Sequence, residues 1–311
     1  MKKLYKKKIL VVGGSGFLGT NIIKKINKKN NLIIATQFKN KKFYKVKNIK
    51  YLRGDLRNIS FCRKITNSID IVFMCSAVSS GAKDIEKNPM LHVDDNIKMN
   101  LNIIKAAAEN KIKKFIFISS NVVYPNHKKP MSESDVNYSL FKKYFNVGWM
   151  KIFSEKLCEM YKDKMKILIV RPANLYGPHD KFNPTKSKVI PSLIKKFEEK
   201  KLIKIWGDGN DIKDFMYVED FVDALLLIVK KYKKFTILNV GTGKSIKLKK
   251  IINFLVKYYN NINIAFDKKK PTMVPIRRIN INKFKNLTKY KFQFSIEKGL
   301  EKTIKWYREN N

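Results

Sequence analysis

The stretch Ile9-Leu10-Val11-Val12-Gly13-Gly14-Ser15-Gly16-Phe17-Leu18-Gly19 decides the fold. Four apolar residues lead into Gly13, Gly16 and Gly19, and the amphipathic run Asn21-Ile22-Ile23-Lys24-Lys25-Ile26 follows. A buried strand, a glycine turn and a helix in that order form a dinucleotide cradle. The glycines let the chain turn tightly and let the backbone approach a pyrophosphate, while the amides of the helix N-terminus face its negative charge. The flanking strand and helix distinguish this turn from a lone glycine pattern.

Apolar runs at Leu32-Ala35, Ile71-Met74, Phe115-Ile118 and Ile167-Val170 read as further buried strands. Helical patterns from about Val93 to Glu109 and Asn146 to Tyr161 lie between them, as crossovers in a parallel sheet require. The predicted fold class is α/β, a Rossmann-type doubly wound parallel sheet with a smaller C-terminal substrate lobe. Turn signals at Tyr176-Gly177-Pro178 and Trp206-Gly207-Asp208-Gly209 mark the change of texture. We expect the nucleotide-binding domain over 1–175, with a return segment at about 211–243, and the second lobe over 176–210 and 244–311. A helix is expected from about Val189 to Lys200, and another amphipathic segment runs from Ile246 to Tyr259.

A chain of 311 residues with 44% hydrophobic content can bury a large core. No apolar run reaches the roughly 18 residues of a membrane span, and the run at Ile9 is too short for a signal peptide, so a cytoplasmic location without membrane contact is expected. Cys62, Cys75 and Cys158 show no metal-ligand spacing; free thiols and no metal follow. The net charge of +42 would attract polyanions. Its lysines are scattered, however, arginine is scarce, and no basic block is interleaved with aromatics, so nucleic acid is not the expected partner.

Gly54-Asp55-Leu56, Cys75-Ser76-Ala77, Ser119-Ser120-Asn121-Val122-Val123-Tyr124, Arg171 to Pro178 and Asp214 to Asp220 follow the glycine turn in a particular order. That order resembles the extended short-chain dehydrogenase/reductases, specifically the NAD-dependent epimerase/dehydratase family acting on nucleotide sugars. The segment Arg171 to Phe182, Ser187-Lys188-Val189-Ile190-Pro191 and the closing Lys305 to Asn310 look most like its GDP-L-fucose synthase branch. The resemblance implies hydride transfer between a nicotinamide and a sugar carbon, with proton exchange by a tyrosine beside a lysine. It implies Ser120 against the sugar oxygen and Lys151 on the nicotinamide ribose. The turn residues Gly13, Ser15, Gly16, Phe17, Leu18 and Gly19 would hold the pyrophosphate, Asp55 and Leu56 would meet the adenine, and Ser76, Ala77 and Asn96 would line the groove. Asn121, Asn174, Lys188, Val189, Lys213 and Arg277 or Arg278 would contact the nucleotide sugar. A homodimer through the helices of Val93–Glu109 and Asn146–Tyr161 is also implied. Other readings stand beside these: Ser120 as a satisfied strand end, Lys151 as a surface lysine, and the two arginines as salt-bridge partners.

The chain departs from the family where it matters most. The tyrosine of Tyr-x-x-x-Lys would stand one helical turn before Lys151, and that position is Val147. Tyr144, a further turn away, is the nearest substitute and is otherwise a packing residue. Val122 and Lys188 replace a cysteine and a histidine that the fucose synthase pattern uses for epimerisation, so double epimerisation is not expected. No Asp-Glu pair for dehydration follows Ser120. An acid ending the second strand would favour NAD, but Ala35-Thr36-Gln37-Phe38-Lys39 has none; Lys39 points to NADP, with NAD the alternative. The expected function is an NAD(P)-dependent nucleotide-sugar epimerase or 4-keto-reductase. The alternative is a binding protein that has lost the tyrosine.

Overall fold

The computed structural model describes residues 7–27, 32–39, 45–79, 84, 87–183, 187–199, 203–260, 262–269 and 274–311. Strand β1 (Lys8–Val12) is buried at all but its first position. Its residues alternate between faces: Ile9 and Val11 join the core on one side of the sheet, and Leu10 and Val12 join the core on the other. A strand buried on both faces has no room for polar residues, which explains its unbroken apolar run.

Around β1 lie β2 (Leu32–Gln37), β3 (Lys50–Arg53), β4 (Ile71–Met74), β5 (Lys114–Ile118), β6 (Lys166–Pro172) and β10 (Thr236–Val240). They form a parallel seven-stranded sheet in the order β10-β6-β5-β4-β1-β2-β3. The order reverses between β1 and β4, opening a crevice at the carboxyl ends of the strands, where such sheets bind ligands. The expected doubly wound sheet is therefore present. The tetrapeptide Lys50-Tyr-Leu-Arg53 escaped the apolar-run criterion because, as an edge strand, it needs little burial.

Helices α1 (Phe17–Ile26), α2 (Ile59–Thr66), α3 (Asp94–Glu109) and α4 (Phe145–Met160) supply the crossovers. The latter two begin and end within one residue of their expected bounds. Close packing of α1 on the sheet depends on glycine. A Cβ at Gly19 would collide with the Gly13 carbonyl oxygen and come within 2.8 Å of Gly14 Cα. Neither backbone atom can swing aside, so Gly19→Ala is expected to cost about 3 kcal/mol, a drop in Tm of about 6 °C in a thermal melt.

After β6 the chain leaves the large sheet. Strand β7 (Asn174–Tyr176) pairs with β9 (Ile212–Tyr217), which also pairs with β11 (Ser245–Lys247) and β13 (Ile276–Arg277), while β8 (Ile203–Trp206) pairs with β12 (Ile264–Asp267). Helices α5 (Val189–Glu198), α7 (Leu248–Tyr258) and α9 (Ile296–Asn310) enclose a third core with Phe182, Phe197, Tyr217 and Leu300. Helix α6 (Val218–Lys231) carries the chain back to β10, and α8 (Asn282–Thr288) packs against α6 and β10. Asp220, in the first turn of α6, has a buried carboxylate that accepts from the Tyr290 hydroxyl and the amides of Gln293 and Phe294. Among the described residues no helix is long and apolar enough to cross a membrane, no cluster could hold a metal, and the three cysteines are free.

Candidate dinucleotide and sugar site

The glycine turn has the shape its sequence demands. Gly13 has φ of 77°, a left-handed conformation that favours glycine, and a Cβ there would lie 2.8 Å from the Ser76 backbone. The turn thus packs against the end of β4 and brings Ser76 alongside. Thr36 Oγ1 accepts from Gly13 N at 2.8 Å. The outer side stays open: a Cβ at Gly16 would meet only the Gly13 carbonyl oxygen, at 3.3 Å. Helix α1 begins there without a side-chain cap and without an acid in its first turn. Uncapped amides beside an open glycine surface fit a pyrophosphate. Ser15 and Phe17 are half-buried in the turn, whereas the Leu18 side chain belongs to the core.

At the far end of the crevice, Gln37 closes β2 with a buried Oε1 that has no hydrogen-bond partner among the described residues. The exposed Phe38 ring carries Lys39 Nζ 5.2 Å and the Arg57 guanidinium 5.6 Å from its centroid. Arg57 reaches Asp55 at 2.6 Å and Asp95 at 2.9 Å, and its hydrogen bonds hold the Asp55 carboxyl below its ordinary range. The sequence reading missed Arg57; its rarity as an arginine and its place two residues after Asp55 were the available signals. Leu56 turns its side chain into the core. Asn96 is buried and grips Val78, accepting from its N–H at 2.9 Å and donating to its carbonyl at 3.0 Å. It thereby shapes the loop that presents Ser76 and Ala77.

Ser120 lies just past the carboxyl end of β5, and Lys151 reaches that end through the Ile118 carbonyl. Ser120 is extended, and its Oγ accepts from Val122 N at 3.3 Å to cap the short turn Asn121–Val123. Lys151 Nζ donates to the Ile118 carbonyl at 3.1 Å and lies 5.1 Å from the Phe117 ring centroid. Burial pulls its pKa down to about 8, against the opposing pull of Glu155 and, more weakly, of Cys158 and Cys75. Val147 sits one turn earlier on the same helix, half-buried.

The structure sends Tyr144 elsewhere. It ends a 3-10 turn before α4, with the Arg277 guanidinium 4.9 Å from its ring centroid. Burial pushes its phenol up, and Arg277 only partly offsets this. Among the described residues no contact joins Tyr144 to Lys151. Arg277 Nη1 also donates to Asn121 Oδ1 at 3.2 Å, so the arginine lies beside the turn that starts at Ser120. No carboxylate pairs with it among the described residues, and burial lowers its pKa. Arg278 points away and donates to the Lys128 carbonyl at 3.2 Å. Lys213, in register with Arg277, is held by Asp211 at 2.6 Å. Asn174 donates to the Asp214 carbonyl at 2.9 Å. Lys188 precedes Val189 at the start of α5 and reaches back to within 5.1 Å of the Phe17 ring centroid, linking the second lobe to the glycine turn.

Residues 9–241 match the NAD dependent epimerase/dehydratase family. The GDP-L-fucose synthase of Escherichia coli (strain K12) is 26% identical over 98% of this chain and 98% of its own. A UDP-N-acetyl-alpha-D-glucosaminuronate decarboxylase of Bacillus cytotoxicus is 27% identical, again over 98% of each. Among solved structures, the UDP-N-acetylglucosamine 4-epimerase of Methanobrevibacter ruminantium in complex with UDP-N-acetylmuramic acid superposes with a TM-score of 0.88 at 23% identity, covering 99% of this chain and 100% of that one. A synthase, a decarboxylase and an epimerase at comparable distance share a scaffold rather than one reaction. With the family match, the parallel sheet and the glycine turn in agreement, the chain belongs to the NAD dependent epimerase/dehydratase family.

Proposed function

We propose that the chain is an NAD(P)-dependent nucleotide-sugar epimerase or 4-keto-reductase of fucose synthase type, with a proton donor other than the family's tyrosine. The observation that carries this reading is the bond from Lys151 to the Ile118 carbonyl, which brings the lysine to the end of β5 two residues before Ser120, beside the switch point of the sheet. A bound nicotinamide dinucleotide supplies or accepts the hydride. Ser120 steadies the sugar oxygen, Lys151 holds the nicotinamide ribose and stabilises negative charge with its ammonium, and Arg277 with Lys213 takes the diphosphate. Asn121, Asn174, Lys188 and Val189 complete the sugar side, and Arg278 supports the loop at Lys128.

NADP is the cofactor we favour. Lys39 and Arg57 flank Phe38 beyond a β2 end that lacks an acid, a setting for a 2′-phosphate. Lys39→Ala and Arg57→Ala are each expected to weaken NADPH binding about tenfold, roughly 1.4 kcal/mol, while changing NADH binding less than twofold in a fluorescence titration. A homodimer in the cytoplasm completes the proposal. Leu101 on α3 and Phe145, Phe153 and Met160 on α4 are exposed apolar residues suited to a second copy.

The test is incubation with NADPH or NADH and a panel of GDP-, UDP- and dTDP-sugars, 4-keto-6-deoxy forms included, read by mass spectrometry. Turnover of any sugar supports the enzyme. Binding without turnover across the panel favours the second reading, a nucleotide-binding protein, to which Val147 and the engagement of Tyr144 by Arg277 lend support.

A further inference from the structure

A buried ion pair lies directly behind Ser120 and Lys151. Glu155 and Arg171 are 5% and 3% exposed. Arg171 Nε donates to Glu155 Oε1 at 3.0 Å, and Nη2 donates to Oε2 at 2.6 Å. The Ser119 hydroxyl donates to the same Oε1. Arg171 Nη1 donates to the Tyr124 hydroxyl at 2.8 Å, and that hydroxyl donates to Asn239 Oδ1 at 2.7 Å. Asn239 Nδ2 in turn donates to the carbonyls of Met131 and Asn280 at 2.9 and 3.0 Å.

Stability alone does not account for this arrangement. A buried ion pair is expensive to desolvate, and a well-packed apolar pair of similar volume often serves a fold equally well. What the charges add is placement. Consecutive residues of an extended segment face opposite sides, so Ile118 and Ser120 face one way and Ser119 the other. Helix α4 grips this segment at two points, through Lys151 on the Ile118 carbonyl and through Glu155 on the Ser119 hydroxyl. The two grips are one helical turn apart, and they leave Ser120 no freedom to slide along the helix.

We propose that the Glu155–Arg171 pair is a positioning element: it fixes Ser119, and so sets the mutual placement of the Ser120 hydroxyl and the Lys151 ammonium. The inference rests on the reading of Ser120 and Lys151 as the working pair. Glu155 also acts on Lys151 through its charge. Lys151 is faced by Glu155 and Cys158 from α4 and by Cys75 from the end of β4. Burial pushes both thiols up, Cys75 to about 12, which leaves them uncharged near neutrality and Glu155 as the anion that keeps Lys151 protonated.

The test uses Glu155→Gln and Ser119→Ala in the full chain, with two readouts. The first is the pH dependence of Lys151 acetylation by acetic anhydride without cofactor, followed by mass spectrometry, since only the neutral amine reacts. The second is kcat and KM on whichever sugar the panel identifies. Glu155→Gln is expected to lower the labelling midpoint by about one pH unit. Ser119→Ala is expected to leave the midpoint in place and to cut kcat about tenfold at unchanged KM. Variants that lose thermal stability while keeping midpoint, kcat and pH profile overturn the proposal. Should Glu155→Gln fail to fold, unchanged kcat in Ser119→Ala overturns it alone. A wild type that converts no sugar, with the midpoint still moving in Glu155→Gln, sinks the enzymatic reading and leaves standing only the charge coupling of Glu155 to Lys151.

Discussion

Replacing Lys151 with methionine is expected to reduce kcat at least about 10³-fold while leaving the protein no less stable at pH 7. Both halves follow from the burial of one ammonium. Desolvation pulls the pKa of Lys151 from 10.5 to about 8, so holding the charge at neutral pH opposes folding. The sign can be worked through by linkage. Between about pH 8 and 10.5 the unfolded chain carries a proton on this lysine that the folded chain has released, so its contribution to stability rises with pH across that window. Below pH 8 both states are protonated and the cost is fully felt, which methionine removes at the loss of the bond to the Ile118 carbonyl. Activity has the opposite dependence. If the ammonium holds the ribose and stabilises the developing oxyanion, kcat is highest below pH 8 and falls above it along a single-proton limb. Steady-state rates from pH 6 to 10, with melts of both proteins at the same pH values, check the whole argument. Full activity in the methionine variant would remove Lys151 from the mechanism.

The local parts of this molecule were legible in its sequence, and the long-range parts were not. The glycine turn could be read because its tight turn, close approach and helix start are made by neighbouring residues. Strands β1, β4, β5 and β6 could be read because burial on both faces leaves continuous apolar runs. Arg57 was hidden because its role depends on Phe38 and Asp95, which are brought to it by different strands and helices. The Glu155–Arg171 pair was hidden for the same reason: helical periodicity assigns Glu155 to a face but cannot say that β6 delivers an arginine there. Tyr144 shows where periodicity itself runs out. The spacing set it on the Lys151 face one turn further back, just before the helix expected from about Asn146; the helix begins at Phe145, and the turn before it carries the ring to Arg277.

Val147→Tyr is expected to raise kcat about 10²-fold, the lower end of what a positioned general acid contributes. Valine offers no exchangeable proton, and Tyr144, engaged by Arg277 and pushed up by burial, is poorly placed to supply one. A phenol at position 147 would stand one turn before Lys151 on the same side of α4, close enough for the ammonium to favour the phenolate and lower the phenol pKa. The pair would titrate together, with the lysine pKa rising as the phenol pKa falls, so the alkaline limb of kcat should move above pH 8 in the variant. The measurement is product formation by mass spectrometry on the sugar panel, for wild type, Val147→Tyr and Val147→Tyr combined with Tyr144→Phe. Equal gains in the last two would place the new proton at position 147 and identify Val147 as the lesion in an otherwise intact site. A loss of activity in Val147→Tyr would mean instead that the cleft has been rebuilt around valine, with the sugar filling the volume that the ring would take.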